Sequence, residues 1–211
     1  MAEIKWLGHA CFRFRSRDAT IITDPVPRSF GYKIEKQRAD IVTLSHDHPG
    51  HTNLDLFTAP PKIVNGPGEY EMNDVFITGI RTYHDDAKGV EHGRNTAYLF
   101  ELEDLVVCHL GDLGHTLSEE QIESMSEADI VIIPVGGGPI LNATKAVEVL
   151  GQLDAKIIIP MQYRTAVGDS ERDPLETFLK EMGIQESTPR DKLTIRASDL
   201  GDVPQVVVLD L

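Results

Sequence analysis

Between residues 39 and 51 a continuous apolar strand, Ala39 to Leu44, runs straight into Ser45-His46-Asp47-His48-Pro49-Gly50-His51. Three of the chain's eight histidines fall within six positions there. A fold that contains this segment must bury the strand while gathering imidazoles at its end. Side chains alternate along a strand, so His46 and His48 point to one side and Asp47 to the other. Pro49 and Gly50 turn the chain, which lets His51 come back to the same place. Neutral imidazole is a common ligand for zinc and other borderline metals, and close spacing lowers the entropy cost of assembling a site. The competing reading, surface histidines without a ligand, is weaker, because loops at the end of a buried strand are where sites are built.

Around this segment the first 110 residues read mostly as strand and turn. Ile4 to Leu7, Cys11 to Phe14 and Ala19 to Thr23 are short β-prone runs. Thr52 to Phe57 is expected to make one or two helical turns. Strands follow at Lys62 to Val64, Val75 to Tyr83 and Asn95 to Leu102, and Glu103-Asp104 turns into Leu105 to Cys108. The second half alternates helix and strand. Ser118, with Gln121 at the capping-box position, starts a helix ending near Glu127. Ala128 to Val135 is a buried strand closed by Gly136, Gly137 and Gly138. Asn142 caps a helix to about Leu153, and Ile157 to Met161 is another apolar strand. Asp173-Pro174 starts a helix that Gly183 stops. Leu193 to Ala197 and Val206 to Leu209 are expected to be closing strands. Ala39-Asp-Ile-Val and Ala128-Asp-Ile-Val each open a buried strand, an echo that fits a fold built from two related halves. Nothing resembling a linker divides the chain, so residues 1–211 are expected to form a single domain with sheets covered by helices.

Composition narrows the function classes. Apolar residues make up 41 % and charged residues 26 %, as in a globular rather than a disordered chain. No apolar run reaches the roughly 18 residues that span a bilayer. The first residues lack a basic stretch followed by an apolar one, so a cytoplasmic location without membrane association is expected. Cys11 and Cys108 sit in apolar segments and read as buried thiols in a reducing compartment. A formal net charge of −14 disfavours long nucleic acid and anionic membranes as partners. It leaves room for a small anionic substrate, because a divalent cation inverts the field around itself.

The pattern His46-x-His48-x-x-His51 after a buried strand resembles the metallo-β-lactamase superfamily, whose usual form is His-x-His-x-Asp-His. The resemblance covers nearly the whole chain. It includes Trp6-Leu-Gly-His9, Ile22-Thr-Asp24-Pro25, Tyr83-His84-Asp85, Gly93-Arg-Asn-Thr96, His109-Leu-Gly-Asp112-Leu-Gly-His115, Pro134-Val-Gly-Gly137 and Ile159-Pro-Met161. Together these are similar to the branch containing ascorbate-phosphate lactonases and uncharacterised metal-dependent hydrolases. The resemblance implies an α/β (α+β) fold, a four-layer αβ/βα sandwich of two mixed sheets flanked by helices. It implies a small-molecule substrate, and relatives in the branch assemble into homo-oligomers.

Residue by residue, the resemblance places the first metal at His46, His48 and His84, with Asp112 as the bridging carboxylate. Of the second site only His51 and Asp112 remain. The loop aspartate falls at Gly50, which has no side chain, and the last histidine falls at Gln162, whose carbonyl is a weaker ligand than imidazole. One divalent ion is therefore expected, zinc first, with manganese, iron or nickel as alternatives, and a second that is weak or absent. Three histidines leave an open position for water, as a catalytic zinc site requires. The expected reaction is hydrolysis of a small ester, lactone or phosphoester by metal-bound hydroxide, with Asp112 orienting or deprotonating the water. Asp24 is expected to accept a hydrogen bond from a ligand histidine. His9 and His115 are expected near the pocket, either touching substrate or packing beneath the loop, with His109 behind the ligands and His92 solvated. Gly136 to Gly138 either lets backbone amides approach an anion or serves a plain turn. The alternative is a member that keeps the fold and a structural or sensory metal but has lost catalysis. A third reading has two ions, Gln162 and a water replacing the missing ligands and manganese preferred.

Overall fold

The computed structural model describes residues Met1–Leu211. The first strands in chain order are β1 (Ala2–Gly8), β2 (Cys11–Arg15), β3 (Thr20–Thr23), β4 (Ile41–Leu44), β5 (Lys62–Asn65), β6 (Gly68–Met72), β7 (Val75–Tyr83), β8 (Arg94–Leu102) and β9 (Leu105–His109). Helix α1 (Glu119–Met125), β10 (Ile130–Pro134), α2 (Ala143–Gln152), β11 (Ile157–Met161), α3 (Leu175–Glu181), β12 (Leu193–Ile195) and β13 (Gln205–Val206) complete the fold. The strands form two sheets, in the orders β12-β1-β2-β3-β4-β5 and β13-β11-β10-β9-β8-β7-β6. Both are mixed. β3, β4 and β5 run parallel in the first, and β9, β10, β11 and β13 in the second, while the remaining neighbours are antiparallel. This is the two-sheet α/β sandwich the sequence implies.

The main core lies between the sheets. Phe14 on β2 meets Phe100 on β8 edge-on, ring centroids 5.1 Å apart, with Ile4, Phe12, Leu102 and Val107 buried around them. All five residues of β10 and of β11 are buried, which explains their unbroken apolar runs. Helix α1 packs on β7 and α2 on α3. A smaller apolar cluster, Cys11, Ile22, Val42, Leu44, Leu56 and Phe57, is covered by Tyr32 and Ile34 from the segment after β3. A 3-10 turn at Leu54–Leu56 follows the histidine loop, and the cover itself contains one at Arg28–Phe30. Pro25, Pro27 and Gly31 explain why it does not coil into an α-helix. No helix is long and apolar enough to cross a membrane.

The Ala-Asp-Ile-Val echo has a structural counterpart. The N–H of Asp40 donates to the Thr20 carbonyl at 2.8 Å, its carboxylate accepts from Thr20 N–H at 2.8 Å, and its carbonyl accepts from Lys62 at 2.9 Å. Asp129 repeats all three bonds with Val106 and Lys156, at 2.9, 2.8 and 2.8 Å. Each aspartate thus pins the start of a strand that has a parallel neighbour on either side, and each strand ends in a loop at the same edge of the sandwich.

Two sequence expectations change. The reading passes from β5 to β7 without β6, which the structure adds as a hairpin whose turn residues Asn73 and Asp74 have φ of 53° and 57°. Helix α3 does start directly after Asp173-Pro174. Pro174 is the N-cap, with no side-chain hydrogen bond, and Asp173 N–H is taken by the Gly136 carbonyl at 2.9 Å. The closing strands are shorter than expected: β12 stops at Ile195 and β13 covers only Gln205–Val206, because Ala197–Asp199 forms a 3-10 turn.

Candidate metal centre

The site lies at the carboxyl ends of the parallel strands, the usual ligand position in α/β sheets. Asp24 follows β3, His46 follows β4, Asp112 follows β9 and Gln162 follows β11, while His84 enters from the end of β7. The loop after β4 is built by backbone bonds. Ser45 N–H donates to Asp24 Oδ1 at 2.7 Å, and the Ser45 carbonyl accepts from Thr96 of the other sheet at 2.8 Å. Ser45 Oγ lies 2.9 Å from His46 Nδ1, which leaves Nε2 of that ring free to face inward. His48 N–H then bonds the His46 carbonyl and His51 N–H the His48 carbonyl, closing the tight Pro49-Gly50 turn.

Asp112 is set from below. Its N–H donates to Asn95 Oδ1 at 2.9 Å, and the Asn95 amide donates to Leu110 O and Thr82 Oγ1. Gly111 makes this possible: at φ 56°, a Cβ there would come 2.5 Å from Asn95 Oδ1 and 2.7 Å from Ser45 Cβ. So placed, Asp112 Oδ2 lies 3.3 Å from His51 Nε2, 3.3 Å from His84 Nε2 and 3.8 Å from His46 Nε2. On its far side, His51 Nδ1 is 3.4 Å from Asp24 Oδ2.

These buried atoms are close but do not hydrogen bond. His46 Nε2, His84 Nε2, both ring nitrogens of His51 and Asp24 Oδ2 lack a partner of acceptable geometry. Buried polar groups are nearly always satisfied, so a knot of orphans needs a cause. Donors that converge on a shared cation point at it rather than at each other. With Zn–N and Zn–O bonds near 2.0–2.1 Å, tetrahedral ligands stand about 3.3 Å apart. The spacing around Asp112 Oδ2 fits a metal of that kind.

Electrostatics reinforce the arrangement. Burial alone would push the Asp112 carboxyl up, but His51, and after it His46, hold it well below the ordinary carboxylate value. Asp24 behaves likewise: burial raises it, yet the His51 partnership brings it down. Burial opposes a charge on His51, and the two carboxylates overcome that, raising its pKa to about 10. Burial lowers His84 to about 4, so it is a neutral imidazole at neutral pH.

The histidines do not all fall in one group. His46, His84 and Asp112 offer ligand atoms within 4.8 Å of one another, as do His46, His48 and His51, and also His9, His51 and Asp112. His48 and His84 are not brought into a common group; His48 is exposed, and its Nδ1 accepts the Gly50 N–H at 3.1 Å. His9 is buried with its ring 4.9 Å from that of His51. Gln162 donates to Asp112 Oδ1 at 2.7 Å. His109 lies behind the cluster: its Nε2 meets the Ala10 carbonyl at 2.9 Å and its Nδ1 accepts Gly111 N–H at 3.2 Å, bracing the turn that carries Asp112. His115 points away, accepting Tyr83 N–H through Nε2 at 3.1 Å, and so fixes the strand end that carries His84.

The family scan matches the β-lactamase superfamily domain over residues 3–162. The chain belongs to the metallo-β-lactamase superfamily. Among solved structures of this superfamily, a Thermotoga maritima protein described as belonging to its Zn-dependent hydrolases superposes with a TM-score of 0.80 at 35 % identity, covering 99 % of this chain and 98 % of that one. A metal-dependent hydrolase of Caldivirga maquilingensis is 24 % identical over 189 residues, 78 % of this chain and 83 % of its own. An isothiocyanate hydrolase from Delia radicum gut bacteria shares the metallo-β-lactamase fold alone, with a TM-score of 0.68 at 15 % identity over 92 % of this chain and all of that one.

Two site neighbours, Phe30 and Arg172, escape sequence reasoning, while His92 is exposed as expected and yet adjoins a candidate ligand. His92 lies tilted beside His84, ring centroids 5.5 Å apart, on a loop wound about one carboxylate: Asp85 accepts N–H bonds from Ala87, Gly89, Glu91 and His92 at 2.7–3.1 Å. This loop borders a polar cavity of about 400 Å³ lined also by Gly138, Asn142 and Lys145. Phe30 packs beside His9, centroids 5.6 Å apart. Arg172 crosses the glycine loop after β10, donating to the Gly137 carbonyl at 2.7 Å. The run of four backbone N–H groups around Asp85 has no sequence signal beyond an aspartate before Gly89, and Phe30 and Arg172 reach the site only through tertiary packing.

Proposed function

We propose that this chain is a metal-dependent hydrolase of a small ester, lactone or phosphoester, working as one domain around a single divalent ion, zinc in the first instance. The supporting observation is the set of buried, mutually misaligned donors around Asp112 Oδ2. His46, His84 and Asp112 would hold the ion, with His51 and the rim residue His48 within reach of His46. When bound, such an ion supplies Lewis acidity toward water and toward a carbonyl or phosphoryl oxygen. The relatives named as metal-dependent and Zn-dependent hydrolases support the same reading.

The chain's own residues supply orientation. Asp112, held below the ordinary carboxylate value by His51, stays charged and would orient the ion and its water. Asn95 holds the Asp112 backbone N–H, and Gln162 holds one carboxylate oxygen. Asp24 faces the buried His51 ring at 3.4 Å and, through Ser45, holds the start of the histidine loop. The polar cavity bordered by His92, next to the ligand His84, is in the size range of small-molecule sites.

The test is to purify the protein, count metal per chain, and assay simple esters, lactones and phosphodiesters with and without chelator. Turnover that vanishes on chelation and in His46→Ala supports the reading. A chain that binds its ion tightly yet turns over none of these is a structural or sensory member instead.

A further inference from the structure

Asp112 belongs to two groups of donors. One is completed by His46 and His84; the other by His9 and His51, whose ligand atoms also lie within 4.8 Å of one another and of Asp112. In the second group a side-chain amide stands among the donors. Gln162 Nε2 donates to Asp112 Oδ1 at 2.7 Å and lies 3.3 Å from His9 Nε2. An amide nitrogen carries two hydrogens, so it can serve a carboxylate and a neutral imidazole at once. The opposite amide orientation would set Gln162 Oε1 against Asp112 Oδ1, oxygen against oxygen, which fixes the nitrogen where it is.

The amide is held there by the fold. Gln162 is 2 % exposed and has a φ of 57°. That left-handed backbone is uncommon for a residue with a side chain and persists only where its surroundings impose it. Gly136 is one such surrounding, because a Cβ there would come 2.0 Å from the Gln162 carbonyl oxygen. The loop side is closed as well. A Cβ at Gly50 would meet the Phe30 ring at 3.0 Å, and that ring also packs on His9.

We propose that the Gln162 amide takes the place of a second cation between His9, His51 and Asp112, so that the chain holds one ion and Gln162 acts as a positioning residue for Asp112. The amide ties Oδ1 and leaves Oδ2 to face His46 and His84. It satisfies the carboxylate with partial charges, so Asp112 keeps its negative charge for the single ion. This inference rests on the metal-centre reading above and deepens it.

Cobalt(II) is the probe. Metal-free protein is titrated with Co(II), ions per chain are counted by native mass spectrometry, and the visible cobalt bands are recorded. Wild type is expected to saturate at one ion. Gln162→Glu, nearly the same shape but anionic, and Gln162→His are expected to take two, the second at least about tenfold tighter than any second ion in wild type. Gln162→Ala is expected to keep one ion with shifted visible bands, because Oδ1 of Asp112 is released. Two ions in wild type, one ion in both Gln162→Glu and Gln162→His, or unchanged bands in Gln162→Ala would each overturn the proposal. A wild type that binds none overturns the metal centre itself, a separate and recognisable result.

Discussion

Single residues decide the metal chemistry, and their roles separate by what they touch. Asn95 never faces the cluster, yet it holds Asp112 by its backbone. Asn95→Ala should weaken metal binding by about 10- to 100-fold, as loss of a supporting partner does, and competition with a chelator measures it. Asp112→Ala and His84→Ala should lose more. His48→Ala should lose less than His46→Ala, because His48 is exposed and its Nδ1 already accepts from Gly50; equal losses would place His48 in the centre after all. Much of this cluster is legible in the sequence, since His46, His48 and His51 are close in the chain and His84 and Asp112 end apolar strands. The placement of His9 and Gln162 against each other is not, because 153 positions separate them and only sheet order brings them together.

At the scale of elements, the two sheets are joined beneath the site by a few buried polar pins. Tyr98 on β8 donates to the Leu44 carbonyl at 2.9 Å and accepts Gly66 N–H at 2.8 Å. Tyr98→Phe keeps the ring but strands both backbone groups, so a loss of about 1–3 kcal/mol in denaturant unfolding is expected, with metal content unchanged. Asp129→Ala frees the half-buried Val106 N–H and should cost more than Asp40→Ala, whose bond to Thr20 is exposed and is replaced by water. Strands and caps with strong local signals were readable: the capping box of Ser118 and Gln121 and the Asn142 cap are both present. Strand β6 was not, because Glu69 and Glu71 alternate with only half-buried Tyr70 and Met72, and its identity depends on pairing with β7.

For the molecule as a whole, the buried histidines predict a response to acid. Burial, and after it the field of His51, lowers His9 to about 3, and burial lowers His84 to about 4. Unfolded histidine titrates near 6.5. Above that value neither state protonates these two rings, so they leave stability unchanged there, while His51, raised to about 10, contributes stability that is lost as pH climbs from 6.5 through 10. As pH falls below it, the unfolded chain binds protons that the native one refuses, so stability drops progressively toward the lowered values. Melting of chelator-treated protein should therefore fall between pH 6.5 and 4.5, and His9→Gln should flatten the slope. A melting temperature constant across that range would contradict the buried, neutral state of these rings.

The wall beside His84 is organised from its own centre. Because Asp85 gathers four amides by itself, the outward side chains of that segment, Lys88, Val90 and Glu91, take no part in holding its shape. They can be exchanged while the imidazole next door keeps its pose. Glu91, which borders the adjoining cavity, is thus a position where a lineage, or an engineer, can change the charge of that wall while the knot around Asp85 stays intact.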